Sequence, residues 1–154
     1  MYPAVHAQSS PDKAAIVMGC GDVVTYRQLN ERSNQCAHLF AGLGLGKDDA
    51  IALFMANGPD YFYAAWGAQR SGLYYPPIST HLSAAETAYI VSNCAAKVLV
   101  VSYAQRDVAL QIEQDDAVRG LLQQIGRRPA ARTRHIGAVR HADFHVEYAH
   151  LEHV

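Results

Sequence analysis

The sequence predicts an α/β fold: a mostly parallel sheet flanked by helices, followed by an irregular tail. Three observations lead there. Two short runs, Ala50 to Met55 (AIALFM) and Lys97 to Ser102 (KVLVVS), carry apolar residues without alternation, as suits strands covered on both faces. Around them lie segments whose apolar residues recur every three or four positions, the helical repeat. Strand-like and helix-like segments alternate along the chain, the order of a layered α/β unit. With 154 residues the chain is long enough for one domain with its own core.

Residues 1 to 12 are polar and punctuated by Pro3 and Pro11, and are expected to run over the surface. Ala14 to Met18 is a short apolar run, Gly19 to Asp22 supplies turn chemistry, and Val23-Val24 resumes the β-branched pattern. Together they predict a hairpin. Thr25 and Gln28 have the spacing of a reciprocal capping box at a helix start. From there Leu29, Ser33, Cys36, Phe40 and Leu43 form one stripe to be buried, leaving Arg27, Glu31, Arg32 and Asn34 to solvent. Gly42, Gly44 and Gly46 end this helix.

Beyond the first buried strand, Pro59 suits a first helical position and Asp60 the positive helix end. The helix through Tyr61, Phe62, Ala65, Trp66 and Gln69 stops at Gly72. Leu73 to Tyr75 reads as a short strand whose ladder Pro76-Pro77 ends, because neither proline has an N–H. Ser83 and Glu86 form a second capping box, and the helix through Tyr89 and Ile90 finishes at Asn93, before the second buried strand. Trp66 to Ser102 is thus a complete α/β unit. Tyr103 to Ile125 predicts a helix with Val108, Ile112, Leu121, Leu122 and Ile125 as apolar positions, broken at Gly126 to Pro129. The composition then shifts. Residues 127 to 154 hold His135, His141, His145, His150 and His153, several arginines and no lysine. The pieces HIGAV and FHVEY alternate like strands, with no turn chemistry to separate them.

Composition bounds the function. A net charge of −1 gives no electrostatic footprint for nucleic acid. Cys20, Cys36 and Cys94 are odd in number and widely spaced, which supports neither a disulfide framework nor a zinc knuckle and fits a reducing compartment. The first residues lack the basic and apolar regions of a signal peptide, and the apolar runs are too short for a membrane span. The expectation is a soluble, cytoplasmic protein.

Candidate sites are few. Gly42 to Lys47 (GLGLGK) invites a phosphate-loop reading, but Ala41 stands where that pattern needs Gly and Asp48 where it needs Ser or Thr. The dinucleotide pattern fails as well, since its third glycine falls on Lys47, and Asp48 and Asp49 would repel a phosphate. A helix stop and loop is the better account. His141 and His145 at i, i+4, near Asp143, Glu147, His150, Glu152 and His153, would share a face if helical and so suggest a metal. The stretch between them reads equally as strand, which separates them. Arg127, Arg128, Arg132, Arg134 and Arg140 make a local basic patch without the interleaved aromatics of nucleic-acid binding. Ser9, Ser10, Ser71 and Ser79 lack a nucleophile-elbow context, and Cys36 and Cys94 fall at packing positions. Tyr74 and Tyr75 beside two prolines suit a pocket edge. No catalytic, cofactor-binding or metal residue is assigned.

Thr25-Tyr26-Arg27-Gln28-Leu29 resembles the first core motif of the adenylate-forming acyl-CoA synthetases, the AMP-binding superfamily, with Gln for the usual Glu. Trp66 to Pro76 (WGAQRSGLYYP) resembles the second, where a helix ends in an Ala-Gly pair before a strand leading to proline. Arg70 to Tyr75 followed by Ser79 to Ser83 (STHLS) is closer to the fatty-acid-CoA ligase branch than to the amino-acid-activating one. The resemblance covers residues 2 to 102.

It implies the amino-terminal subdomain of that fold over residues 1–102, a weakly matching helix over 103–126 and an Arg/His-rich tail over 127–154. It also implies a family reaction: ATP and Mg²⁺ activate a fatty acid to an acyl-adenylate, and CoA then forms the thioester. The family's Ser/Thr/Gly-rich loop into Pro-Lys-Gly, its later Tyr-Gly-x-Thr-Glu, its ribose-binding Asp motif and its carboxy-terminal lysine are not among these residues. Lys13, Lys47 and Lys97 are the only lysines. The expectation is therefore a truncated or frameshifted fatty-acyl-CoA ligase, inactive alone, with no cofactor of its own. The alternatives are a non-enzymatic α/β binding or interaction module, able to complement a separate ligase fragment, and a small protein binding metal through its histidine tail. In isolation, apolar surface around Val98 to Val101 is expected to be uncovered and to favour self-association.

Overall fold

A computed structural model describes residues 2–114, 131–141 and 144–153. In order the elements are α1 (Pro3–Ser9), β1 (Ala14–Val17), β2 (Val23–Thr25), α2 (Tyr26–Gly42), β3 (Ala50–Phe54), α3 (Pro59–Arg70), α4 (Ala84–Asn93), β4 (Ala96–Val101), a 3-10 turn (Tyr103–Gln105), α5 (Arg106–Gln114), β5 (Ala131–His141) and β6 (Phe144–His153). β1 and β2 pair as the expected antiparallel hairpin. The second sheet has the order β3-β4-β6-β5. β3 and β4 run parallel, while β6 is antiparallel to both β4 and β5.

The helix starts form as their sequences dictate. Gln28 N donates to Thr25 Oγ1 at 3.3 Å, and Gln28 Oε1 accepts from Thr25 N at 2.9 Å. Ser83 and Glu86 repeat the exchange at α4. These bonds to Ser83 hold the Glu86 carboxyl below its ordinary pKa, and each box satisfies two amides that a helix start leaves without partners. The predicted α2 stripe is buried at Leu29, Ser33, Cys36 and Phe40.

β3 and β4 alternate between two cores. Ile51, Leu53, Val98 and Val100 pack with Leu29, Cys36 and Phe40 of α2 and Ala64 and Ala68 of α3. Ala52, Phe54, Leu99 and Val101 face the opposite way, against Ala88 and Val91 of α4 and Ile112 of α5. This explains why their sequences do not alternate: both faces of each strand meet helices.

Helices α2 and α3 cross at Gly67. A Cβ placed there would lie 2.5 Å from Cys36 Cβ and 3.0 Å from the Ser33 carbonyl oxygen, so only glycine fits the crossing. Beside it, Arg70 donates to Ser33 Oγ at 2.8 Å, to Asn30 Oδ1 and to Asn34 Oδ1. Asn34, read from the sequence as solvent-facing, thus ties the two helices together. Desolvation lowers the Arg70 pKa, and neutral oxygens supply the hydrogen bonds that the guanidinium needs there.

Four expectations need correction. Residues 3–9 form a helix rather than a loose surface segment, with Tyr2 edge-on to Trp66 and His6 against Tyr26. Pro76-Pro77 does not end the ladder beside β3. Ile51 N donates to the Tyr74 carbonyl and Leu53 N to the Pro76 carbonyl, and Ile78 N donates back to the Leu53 carbonyl. In a parallel pair alternate residues face the partner, so Pro76 costs one rung and Pro77 points its missing donor away. The tail is not irregular where described, since β5 and β6 extend the sheet from β4. Finally, Val98 to Val101 are at most 3% exposed, so the uncovered surface invoked for self-association is not there. Of the helix expected over 103–125, α5 takes up Arg106–Gln114. Leu121, Leu122, Ile125 and the break at 126–129 lie outside the described residues.

Two substitutions test the packing. Gly67→Ala should lower stability by about 2 kcal/mol through overpacking, although Gly→Ala at an exposed helix position gains about 1 kcal/mol. Urea unfolding reads the difference, and an unchanged or higher midpoint would refute the close crossing. Thr87 is fully buried, and its hydroxyl has no hydrogen-bond partner among the described residues. Thr87→Val should therefore raise stability by about 1 kcal/mol, a gain that the same titration would register.

Candidate functional site

In parallel sheets ligands gather outside the carboxyl ends of the strands. Here that edge is built by Ala56 to Gly58 after β3, Ser79 to His81 after the strand-like segment at 74–78, and Ser102 to Arg106 after β4. Ser102 joins two of these. Its hydroxyl accepts from Ala56 N at 3.0 Å and donates to Gln105 Oε1, and its amide donates to the Phe54 carbonyl at 3.3 Å. Ser79 Oγ accepts from His81 N at 3.4 Å. At the start of α3, Asp60 sits in the first turn and supplies the negative charge that the helix end attracts. The edge therefore presents hydroxyls, backbone amides, an imidazole and the exposed Tyr103 ring. Ser102 hydrogen-bonds an amide donor and an amide acceptor rather than a base, which suits it to positioning and not to nucleophilic attack.

The glycine-rich segment after α2 makes no phosphate cradle. Gly44 N donates to the Ala41 carbonyl, Leu45 N to Phe40 and Asp49 N to Gly46, while Gly46 N donates to Asp49 Oδ2 at 2.8 Å. The amides of Gly44, Leu45 and Gly46, which a phosphate loop would aim at an anion, are thus already engaged by α2 carbonyls and by Asp49. Gly44 has a φ of 79° and Gly72 one of 71°, so both glycines serve chain reversals. Lys47 lies along Gly72. These residues do not fit the phosphates of ATP.

A groove of about 470 Å³ opens at the opposite, amino edge of β3 and β4. Asp48, Asp49, Ala50, Tyr74, Cys94 and Lys97 contribute to its lining, with Lys97 paired to Asp49. Tyr74 thus lies at a pocket edge as its sequence context suggests, and Tyr75 instead packs against the first core. Cys36 within α2 and Cys94, which caps the end of α4 rather than lying inside it, are both poor nucleophiles. Burial pushes the Cys36 thiol up to about 12 from the ordinary 9.0, with Asp60 adding to the shift, and burial raises Cys94 as well. His141 ends β5 and pairs in register with Phe144, and His145 on β6 pairs with Arg140. They are on successive strands and not one turn apart on a helix. Among the described residues no three His, Cys, Asp or Glu side chains are grouped to hold a metal ion, and no helix is long and apolar enough to cross a membrane.

The residues that sequence reasoning missed are those joined across distance: Ser102 with Ala56, Arg70 with Asn30 and Asn34, and Lys97 with Asp49. No local pattern marks any of these pairs.

The fold and its motifs have known counterparts. The family model of AMP-binding enzymes matches residues 4–146, reaching beyond the stretch 2–102 that carries the motifs. The chain is 37% identical over 95 residues to the long-chain-fatty-acid–CoA ligase FadD13 of Mycobacterium tuberculosis, an alignment of 61% of this chain and 19% of that protein. It is 35% identical over 109 residues to the crotonobetaine/carnitine–CoA ligase of Escherichia coli, covering 69% of this chain and 21% of the relative. The crystal structure of the N-terminal domain of FACL13 from Mycobacterium tuberculosis superposes with a TM-score of 0.69 at 31% identity, over 73% of this chain and 29% of that one. The chain thus spans about a fifth of the length of these curated relatives.

The Cys36 shift carries a pH prediction. The unfolded thiol releases its proton from about pH 9, while the folded one holds it to about 12. The stabilisation is complete below pH 9 and is lost as the pH rises from 9 towards 12, by at most about 1.4 kcal/mol per pH unit. Tyr63 and Cys94 are raised too and add to the same fall. Unfolding titrations at stepped pH should show Cys36→Ala flattening this slope without removing it, and an unaltered slope would place the titrating groups elsewhere.

Proposed function

The chain belongs to the family of AMP-binding enzymes, and on that premise we propose that its 154 residues supply the amino-terminal part of a fatty-acyl-CoA ligase. The observation that carries the reading is the superposition on the N-terminal domain of FACL13, supported by the order of the two motifs at Thr25 to Leu29 and Trp66 to Pro76. The reaction so assigned has two steps. A fatty-acid carboxylate oxygen attacks the α-phosphorus of ATP and pyrophosphate leaves, giving an acyl-adenylate. The thiol of CoA then attacks the acyl carbon, AMP leaves, and the thiol proton goes to solvent or a base.

Within that reaction this chain is scaffold. Its glycine-rich loop uses its own amides, Lys97 is paired with Asp49, and the carboxyl edge offers hydrogen-bonding groups without an activated nucleophile. We assign ATP, Mg²⁺ and the fatty acid to parts of the ligase that these residues do not include, and the 154-residue chain alone is inactive. What the two cores contribute is a rigid sheet whose carboxyl edge, stapled by Ser102, borders the region where ligands of such sheets lie.

A graft tests the assignment. Residues 2–102 replacing the matching segment of a fatty-acyl-CoA ligase should yield a folded chimera that keeps fatty-acid-dependent ATP–pyrophosphate exchange within about tenfold, or ~1.4 kcal/mol, of the parent. A chimera with native circular dichroism and parental thermal stability but no exchange would show that these residues do not serve that part.

A further inference from the structure

We draw no further inference here: the strongest candidate, the groove at the amino ends of β3 and β4 lined by Asp48, Tyr74, Cys94 and the Asp49–Lys97 pair, is neither charged of one sign nor matched to any segment of the chain, and nothing in the structure shows what fills it.

Discussion

The close approach of α2 and α3 at Gly67 sets the geometry on which the rest of the molecule depends. Without a Cβ at that position, the Ser33–Cys36–Ala37 turn of α2 can touch the α3 backbone. The crossing is clamped by one guanidinium reading three side chains of α2. Held this way, the two helices present Leu29, Phe40, Ala64 and Ala68 as one continuous surface to β3 and β4. A wider crossing would open a void over Ile51, Leu53, Val98 and Val100, all without solvent exposure, and voids at such positions are costly. The second core, with α4 and α5, then closes the other side of the same two strands.

Two buried faces leave only the strand ends for chemistry, and the ends differ. At the amino edge Asp49 and Lys97 neutralise each other and the loop amides are engaged. At the carboxyl edge a single hydroxyl, Ser102, fixes the exits of both strands. In the role proposed for the chain such an edge is support, since catalytic groups contributed from elsewhere work only when that support does not move.

Much of the fold was legible because its determinants are local. The capping boxes at Thr25 and Ser83, the proline at the start of α3 and the four-three stripe of α2 each act within one or two helical turns. The apolar runs of β3 and β4 announced strands buried on both faces. What the sequence hid depends on partners far along the chain. The segment at 3–9 is held by Trp66 and Tyr26, and its helix is too short to be forecast from propensity. The effect of Pro76 depends on which residues of its strand face β3, a parity set by tertiary contact. HIGAV and FHVEY read as strand-like, but their pairing did not: β6 joins β4, roughly fifty residues earlier, and β5 joins β6. The site followed the same rule. Pattern spacing alone excluded a phosphate loop at Gly42 to Lys47, and the hydrogen bonds supply the reason. The Ser102 staple could not be read, since nothing near Ser102 points to Ala56.

On the function proposed for it, this chain carries the frame of an adenylate-forming ligase without the nucleotide chemistry. ATP–pyrophosphate exchange with the purified 154-residue chain, Mg²⁺ and a series of fatty acids measures it most directly. Exchange should be indistinguishable from a protein-free control at every chain length, with circular dichroism showing the chain folded. Saturable, fatty-acid-dependent exchange by the chain alone would contradict it.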